Sequence, residues 1–423
     1  MSQVLSAELP YIHTAIPGPQ SQAWIDRLST KECPAITSRR ARRAQALGAA
    51  KDDPIVWKSA QGCIVEDMDG NRFIDMTAGF GVAAVGHRNP KVVAALQAQS
   101  EILLHAMGDA FSDPKRIELM EKLCAITGMD RCIFGSSGSD SVEVAIKTAK
   151  IATNRSKILA FHNAYHGLAF GSLSSTHYKA EMFRGPFTEY LGNYVDHIPY
   201  NSILPEDLSE YAAIVVEPIQ GRGGVQVGDF AWLKNLIEQA HQQGALVIFD
   251  EIYTGFGRTG SWFAFQHPQM GGLKPDLLCI GKALAGGFPI SACLGTAKVM
   301  DAWGASKGEA IHTQTFLGNP LGCAMALAAL EELEELFPSI AEKSQWFIQQ
   351  LQSNGFQVQG RGLLLGIPLS NTLAASRLLL HKGFIILPAG PNAEVIALTP
   401  PLMISKAQLQ NFIQALKEVV REI

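Results

Sequence analysis

Short apolar segments alternate with helical patterns over the middle of this 423-residue chain, from about residue 130 to residue 295. Each segment is apolar at successive positions, which is expected for parallel strands that lie between two layers of helices. The five segments are residues 132–134, 157–161, 213–216, 246–249 and 277–280. The alternation predicts an α/β fold with a parallel sheet, and such a sheet binds ligands just beyond the carboxyl ends of its strands.

The segments on either side of this region predict a second, smaller lobe, because a chain of this length exceeds the usual size of one hydrophobic core. The elements predicted there are strands at residues 71–76, 363–365 and 384–386, a helix begun by Asn89-Pro90, a helix from Pro320 to about Phe337, and a final helix from Ser405 with Gln408 as its capping-box partner. We therefore expect an N-terminal segment of the small lobe at residues 1–75, a large domain at 76–325 and a C-terminal small domain at 326–423.

Composition argues against a disordered, nucleic-acid-binding, membrane or secreted protein. Apolar residues make up 47% of the chain and charged residues 17%, which is typical of a large globular core. A net charge of −4 gives no long-range attraction to nucleic acid or anionic lipid, and the basic cluster at residues 39–43 is interpreted as the solvated face of a short helix. We expect no signal peptide and no membrane span. Seven scattered cysteines, none in C-x-x-C spacing, favour a cytosolic protein with reduced thiols.

Two polar residues follow apolar segments at positions where a cofactor could react. Lys282 comes after residues 277–280 and lies in a stretch of small residues, and Asp250 comes after residues 246–249. Burial lowers the pKa of a lysine and makes its amine a nucleophile that forms Schiff bases. Pyridoxal phosphate needs such an amine for its aldehyde and a carboxylate for its pyridinium nitrogen. For either residue alone, a solvated loop lysine and a turn-capping aspartate are the simpler interpretations.

Further polar segments follow the predicted strands. The Gly/Ser loop at residues 135–140 begins a helix, where free N–H groups and the helix dipole bind anions, although most such loops are only turns. Tyr165 could lie flat on a planar cofactor or could be a core tyrosine. Glu217 ends a strand, where it is either a catalytic residue or a hydrogen-bond partner for a backbone amide. The hydroxyl groups at residues 313–315 precede a helix, where they either bind a ligand or cap the helix.

These segments, taken in order, resemble the class III aminotransferases, which are pyridoxal-phosphate enzymes of fold type I. The motifs are G-F-G-V at 79–82, G-H-R-N-P at 86–90, S-G-S-D at 137–140, Y-H-G at 165–167, E-P-I-Q-G at 217–221, D-E-I-Y-T-G-F-G-R-T-G at 250–260, G-K-A-L at 281–284, T-F-L-G-N-P at 315–320 and P-P-L at 400–402. The resemblance implies a mainly parallel, seven-stranded sheet between helices, with a smaller α+β lobe built from both termini.

The resemblance also implies residue roles. Lys282 would hold the cofactor as a Schiff base and move a proton between the substrate carbon and the cofactor. Asp250 would keep the pyridine nitrogen protonated, and Glu217 would lie near the phenolic side of the ring. The other implied cofactor contacts are Ser137, Gly138 and Ser139 for the phosphate, Tyr165 and Ile252 for the two ring faces, and His166 and Tyr253, where Tyr253 replaces a frequent glutamine. Thr315 would reach the phosphate of the neighbouring subunit in a homodimer with shared active sites.

The positions that face the substrate depart from the family pattern. Ala397 stands where many relatives have an arginine that binds the α-carboxylate of glutamate, and Arg222 stands where they have a glutamate. We hypothesise that Arg222 takes over the carboxylate contact or that the amino donor is not glutamate; the alternative is that Arg222 points to solvent. Leu168, near Phe80, replaces an arginine of relatives that act on 4-aminobutyrate, which favours an uncharged or hydrophobic substrate tail.

The expected activity is a ping-pong transamination between an amine or amino acid and an oxo acid. One alternative is an amino-acid racemase or epimerase of the same family, which shares proton abstraction by Lys282. Another is a catalytically silent binding or scaffold protein, and the presence of Lys282, Asp250 and the 135–140 loop argues against it. We expect a cytoplasmic homodimer with small-molecule substrates, and no metal, nucleic acid or membrane partner.

Overall fold

The structure is a computed structural model that describes residues 9–36 and 55–423, so the basic cluster at 39–43 lies outside the described residues. The strands are β1 (Trp57–Gln61), β2 (Ile64–Asp67), β3 (Arg72–Asp75), β4 (Arg131–Gly135), β5 (Lys157–Phe161), β6 (Val195–Ile198), β7 (Tyr211–Val216), β8 (Ile219–Gln220), β9 (Gln226–Val227), β10 (Leu246–Asp250), β11 (Leu277–Ile280), β12 (Ser291–Gly295), β13 (Gln359–Arg361), β14 (Leu364–Pro368), β15 (Phe384–Ile385), β16 (Leu387–Ala389) and β17 (Val395–Leu398).

Helices connect most of these strands. They are α1 (Pro19–Ser29), α2 (Pro90–Ser100), α3 (Pro114–Thr127), α4 (Gly138–Thr153), α5 (Phe170–Ser175), α6 (Ala180–Phe183), α7 (Thr188–Leu191), α8 (Phe230–Gln242), α9 (Ala297–Met300), α10 (Pro320–Ser353), α11 (Thr372–His381) and α12 (Lys406–Glu422). Short 3₁₀ turns lie at Gly185–Phe187, Ala264–Gln266, Pro268–Met270, Lys282–Ala285 and Asp301–Trp303. Ala78–Gly81 forms a single turn whose residues all have positive φ, so it is left-handed.

The central sheet has seven strands in the order β4-β12-β11-β10-β7-β5-β6, and within it only β12 runs antiparallel to its neighbours. The five apolar segments predicted from the sequence are β4, β5, β7, β10 and β11, which confirms the mainly parallel sheet. The prediction missed β6 and β12. β6 lies at the sheet edge and carries polar Asp196 and His197, and β12 is built mostly of small residues, so neither shows the continuous apolar signal of a central strand.

The long helix α4 packs across the central sheet, against β4, β7, β10, β11 and β12. Its stripe of Val142, Ala145, Ile146 and Ala149 is buried, as the sequence pattern predicts. Because the helix begins directly after β4, its amino terminus lies at the carboxyl edge of the sheet. This edge is where ligands bind in parallel sheets.

Segments from both ends of the chain share a smaller sheet of order β1-β2-β3-β15, in which β15 pairs parallel with β3. A further four-stranded sheet has the order β13-β14-β17-β16. Ser405 caps α12 and forms the predicted capping box with Gln408. The smaller lobe is therefore α+β and contains segments from both ends of the described residues, while the domain boundaries at residues 75/76 and 325/326 stay a prediction.

Helix α10 is longer than predicted. The sequence interpretation ended it near Phe337, but it continues through Pro338 to Ser353. Pro338 removes one backbone hydrogen bond, yet buried residues on both sides of it, including Leu333 and Ile340, keep the helix packed against α2, α3 and α12. Within the described residues no helix is long and apolar enough to cross a membrane.

Candidate active site

Three segments that follow β4, β10 and β11 meet at the carboxyl edge of the sheet, around the side chain of Ile252. A Cβ atom on Gly138 would lie 2.9 Å from Ile252 Cδ1. A Cβ atom on Gly281 would lie 3.6 Å from Ile252 Cγ2 and 3.9 Å from Gly138 Cα. The Gly/Ser loop, the segment after Asp250 and the residue before Lys282 are therefore in mutual contact, as their positions after the strands predict.

The Gly/Ser loop forms the amino terminus of α4, a helix of 16 residues. Ser137 is the N-cap, and Asp140 Oδ2 accepts the N–H groups of Ser136 at 3.0 Å and Ser137 at 2.8 Å. The next N–H groups, on Gly138 and Ser139, belong to the first turn and have no intrahelical acceptor. Together with the positive end of the helix dipole they form a site for a dianion such as a phosphate.

Asp250 is held by His166. Asp250 Oδ2 lies 2.8 Å from His166 Nδ1, and Asp250 Oδ1 accepts the backbone N–H of Ile252 at 3.1 Å. Burial by itself would lower the pKa of His166, but the hydrogen bond to Asp250 and the charges of Asp250 and Glu217 raise the pKa above its ordinary value. The structure thus places His166 directly against Asp250, where it fixes the orientation of the carboxylate.

Lys282 is partly buried and has a φ of 42°, a left-handed conformation that is rare outside glycine. Its Nζ atom lies 4.2 Å from the ring centroid of Tyr253. Burial lowers the pKa of Lys282 to about 8, assisted by the charge of Arg222 and opposed by Asp250 and Glu217. A larger fraction of this amine is therefore neutral at a given pH than of an ordinary lysine.

The lowered pKa predicts an unusual pH dependence for the chemical reactivity of Lys282. In protein stripped of cofactor, acylation of Lys282 by an amine-reactive ester should accelerate with pH and level off above about 8, because only the neutral amine attacks. Peptide mass spectrometry after short pulses would measure it. Lys91, whose ion pairs with Glu332 and Glu335 raise its pKa, is the internal control and should still be accelerating above pH 10. A Lys282 profile that follows Lys91 contradicts the prediction.

Glu217 connects two segments of the site. Its Oε1 atom accepts the N–H of Tyr165 at 2.9 Å, and its Oε2 atom accepts the N–H of Gly221 at 3.3 Å. Burial, together with the charge of Asp250, raises the pKa of Glu217 to about 7 against the opposing effects of His166 and Lys282. Burial therefore disfavours the charged form of this carboxyl group, and its charge in turn acts on the amine of Lys282.

Arg222 lies over aromatic rings. Its Cζ atom is 4.3 Å from the ring centroid of Tyr165 and 5.5 Å from that of Tyr178. The side chain is partly buried, and in the part of the chain that the structure describes no carboxylate forms an ion pair with it. The guanidinium therefore faces the tyrosines and is available to an anion. Ala397 is buried in β17, where it pairs with Gly366 and Leu387.

A comparison with known families identifies the chain. The family model described as "Aminotransferase class-III" matches residues 47–420. The chain belongs to the class III aminotransferases.

Relatives of this aminotransferase share most of its length. An acetylornithine aminotransferase from Methanosarcina acetivorans is 35% identical over 378 residues, which cover 86% of this chain and 91% of that protein. A crystal structure of the ornithine aminotransferase from Toxoplasma gondii, with partial occupancy of pyridoxal phosphate at its active site, has a TM-score of 0.79 and 28% identity and covers 95% of this chain and 98% of that one. The adenosylmethionine-8-amino-7-oxononanoate aminotransferase from Methanocaldococcus jannaschii has a TM-score of 0.81 and 26% identity, covering 87% and 93% of the two chains.

These similarities confirm three expectations about the aminotransferase: the fold of type I, the cofactor pyridoxal phosphate, and transamination as the reaction. The residues present also fit the cofactor. A Cβ atom at residue 138 would clash with Ile252, so glycine is what lets the first turn of α4 and its N–H groups lie directly against Ile252. The amine of Lys282 and the carboxylate of Asp250 are groups of the kind that would hold the aldehyde and the ring nitrogen.

Of the remaining predicted residues, Tyr253 lies beside Lys282, whereas Phe80, Leu168 and Thr315 lie at the surface. Tyr253 packs so closely that a Cβ atom on Gly221 would lie 2.2 Å from its Cδ1 atom. Phe80 and Leu168 are about half exposed, and the Leu168 N–H donates to Ser139 Oγ at 3.2 Å. Thr315 is exposed, so the role that sequence assigned to it depends on a second subunit and stays a prediction.

Sequence reasoning missed four residues that contact members of the candidate site. Thr176 Oγ1 accepts the His166 N–H at 2.9 Å, Tyr178 lies beside Arg222, Thr399 Oγ1 is 3.1 Å from Tyr253 Oη, and Gln314 Oε1 accepts from Ser136 Oγ at 3.2 Å. Gln314 and Thr399 directly precede quoted motifs, and that adjacency was the available signal. Thr176 and Tyr178 lie in an irregular segment with no motif of their own.

Proposed function

We propose that Lys282, Asp250 and the amino terminus of α4 form the catalytic site of this transaminase, and that Arg222 selects substrates with a carboxylate. The observation that carries the proposal is the convergence around Ile252 of a partly buried amine, an oriented carboxylate and free helix N–H groups. The family favours transamination over racemisation, and the complete set of groups argues against a silent protein.

Each group then has a defined task. Pyridoxal phosphate, when bound, supplies an aldehyde that takes up the amino group and a ring that withdraws electrons from the substrate carbon. Ser137, Gly138 and Ser139 would bind the phosphate, while Tyr165 and Ile252 would exclude water from the two ring faces.

The protons are assigned to two residues. Asp250, oriented by His166, would hold a proton on the ring nitrogen. Lys282 Nζ, with its pKa of about 8, would take the proton from the substrate carbon as a neutral amine. The Tyr253 ring, 4.2 Å from Nζ, would stabilise the ammonium that results.

Arg222 is the proposed carboxylate-binding residue. It lies on Tyr165, the residue proposed to cover the ring, and its charge acts on Lys282. Stacking on an aromatic ring keeps the planar guanidinium oriented while its N–H groups stay free for a bidentate contact with a carboxylate. The aminotransferase would therefore accept amino acids and oxo acids, and the apolar Leu168 and Phe80 would favour an uncharged tail.

Substitution of Arg222 tests this assignment. Arg222→Ala should raise KM about 10- to 100-fold for amino donors that carry a carboxylate, because hydrogen bonds to a charged group are lost. Amine donors that lack a carboxylate should show an unchanged KM. Half-reactions with glutamate, alanine and a simple alkylamine, followed by stopped-flow absorbance, would measure both.

Arg361→Ala is the matched control, because Arg361 also stacks on an aromatic ring, 4.0 Å from the centroid of Phe230, and belongs to no part of the proposed site. Its kinetics should match those of the wild type. Unchanged constants for glutamate and alanine in Arg222→Ala would contradict the role of Arg222 without touching that of Lys282.

We also propose a cytoplasmic homodimer with shared sites. Two segments that contact each other through Thr313 Oγ1 and Asp109 Oδ2, 2.8 Å apart, carry the exposed apolar side chains Ile311, Phe316, Met107 and Phe111, and exposed apolar surface of this kind supports a partner contact. Thr315 would reach the phosphate bound by the second subunit. All seven cysteines are free thiols, which supports a reducing compartment.

A further inference from the structure

The left-handed turn Ala78–Gly81 has an unusual backbone. Its four residues have φ values of 47°, 56°, 66° and 82°, and two of them, Ala78 and Phe80, are not glycine. A left-handed conformation costs free energy in residues with a Cβ atom, and it persists only where surrounding contacts enforce it. The turn therefore requires a structural support.

The support is the carboxylate of Asp75, which is completely buried at the end of β3. Its Oδ1 atom accepts the backbone N–H of Thr77 at 2.8 Å and the Thr77 hydroxyl at 2.6 Å. Its Oδ2 atom accepts the backbone N–H of Gly79 at 2.8 Å and lies 2.8 Å from His87 Nε2. Asp75 thus binds the backbone amide of Thr77, directly before the turn, and that of Gly79 within it, and His87, whose side chain is 14% exposed, contacts Asp75.

The turn in its left-handed form shapes the active site. It presents Phe80 to solvent on the rim, where the side chain is 53% exposed. It also brings Gly81 so close that a Cβ atom there would lie 2.7 Å from Tyr253 Cε2 and 3.7 Å from Lys282 Cδ. The position of Phe80 is therefore coupled to the packing around the catalytic amine.

A second set of hydrogen bonds joins the turn to Tyr253. Thr399 Oγ1 donates to the Thr77 carbonyl at 3.0 Å and lies 3.1 Å from Tyr253 Oη. The N–H of Gly81 also donates to the Thr77 carbonyl, at 2.8 Å. One continuous network thus runs from His87 through Asp75, Thr77 and Thr399 to the ring beneath Lys282.

We propose that Asp75 and His87 are positioning residues for the substrate: they hold the left-handed turn so that Phe80 forms a wall for the apolar tail of the amino donor. Neither residue touches the reacting atoms. The inference rests on the proposed function, because the contact between Phe80 and the substrate is part of that function.

The test uses Asp75→Asn and His87→Ala in the holoenzyme. Both should raise KM about tenfold for an amino donor with a bulky apolar side chain, because the wall contact is lost. KM for alanine, which does not reach the wall, should change much less. His87→Gln, which keeps a donor for Asp75, should restore the wild-type KM. Hydrogen exchange of the Thr77 and Gly79 amides should accelerate in Asp75→Asn and His87→Ala.

Asp67→Asn is the matched control for lost stability. Asp67 is also completely buried in the same small sheet, and it accepts the N–H groups of Asp69 at 2.9 Å and Asn71 at 2.8 Å. Its substitution should lower the melting temperature without changing KM for either donor. If Asp75→Asn does not fold, the partly exposed His87→Ala and its rescue by His87→Gln decide the question.

The outcomes separate the two proposals. A wild-type protein that transfers no amino group overturns the proposed function. An active wild type in which Asp75→Asn or His87→Ala raises KM equally for bulky donors and alanine, or behaves like Asp67→Asn, overturns the inference alone. Phe80→Ala should produce the same selective effect, and combining it with Asp75→Asn should add little, since both changes remove one contact.

Discussion

Replacing Lys282 by alanine should lower the rate of transamination by about 10⁴-fold, because general acid–base catalysis by a positioned side chain contributes up to that factor. The change removes the proposed proton carrier from a site where Asp250 and the α4 amino terminus remain intact. The expected loss therefore falls on kcat, while the phosphate of the cofactor should still bind at Gly138 and Ser139. Single-turnover measurements with a good donor would separate binding from proton transfer.

Lys343→Ala is the control for Lys282→Ala. Lys343 is a second partly buried lysine whose pKa is lowered by burial, and its Nζ atom donates to the Leu402 carbonyl at 2.8 Å outside the proposed site. That variant should transaminate at the wild-type rate. An added small primary amine should partly restore proton transfer in Lys282→Ala. A Lys282→Ala protein that keeps a tenth of the wild-type rate would show that another group moves the proton.

A strand of this fold could be predicted from the sequence when both of its faces are buried and its residues form a continuous apolar segment. Strands β7, β10 and β11 are buried on both faces and read as continuous apolar segments. Edge strand β6 carries polar residues, and β12 is composed of small ones, so tertiary position and not local sequence determines that they join the sheet. Pro338 in α10 is another position where tertiary packing overrides local sequence, because buried contacts on both sides keep the helix continuous through a proline.

The site was predictable where its residues follow strands directly. Asp250 and Lys282 come at the ends of β10 and β11, so their proximity follows from the parallel sheet. The stacking of Arg222 on Tyr178 joins two irregular segments, and no periodicity in the sequence specifies that contact. The Asp75–His87 pair escaped notice because eleven residues lie between its members and tertiary contacts bring them together: Asp75 N–H donates to the Cys63 carbonyl, and His87 forms a bridge with Gly62.

Asp250→Asn should lower kcat by about 10²- to 10³-fold, the loss expected when one preorganised electrostatic contact is removed from a catalytic site. An amide cannot hold a proton on the ring nitrogen as a carboxylate does, so the ring withdraws electrons less effectively. The phosphate site is unaltered, and loss of the Asp250 charge only lowers the pKa of Lys282 further, which keeps its amine neutral, so KM should change much less than kcat. Steady-state kinetics with one amino donor and one oxo acid would measure both constants.

The same variant should also change how stability depends on pH, through His166. Asp250 raises the pKa of His166 in the folded protein, so the pair contributes stability below the unfolded pKa of about 6.5 and loses it as pH rises through the folded pKa. In Asp250→Asn both contributions of Asp250 are lost, so burial, opposed only by the charge of Glu217, disfavours the charged form of His166. The difference in melting temperature between wild type and variant should therefore be large near pH 6 and small near pH 9.

A second histidine–aspartate pair provides the comparison. His241 Nε2 lies 2.9 Å from Asp276 Oδ2, and its side chain is 44% exposed. Asp276→Asn removes a similar contact, but solvent screens it and no catalytic group depends on it, so kcat should stay at the wild-type value. If Asp250→Asn and Asp276→Asn both lowered the melting temperature while both kept kcat, Asp250 would be a structural partner of His166 and not the group that protonates the ring. A loss of kcat confined to Asp250→Asn would show that this carboxylate, and not any histidine–aspartate pair, stabilises the protonated ring nitrogen. The two aspartates differ in burial and in their position relative to Lys282.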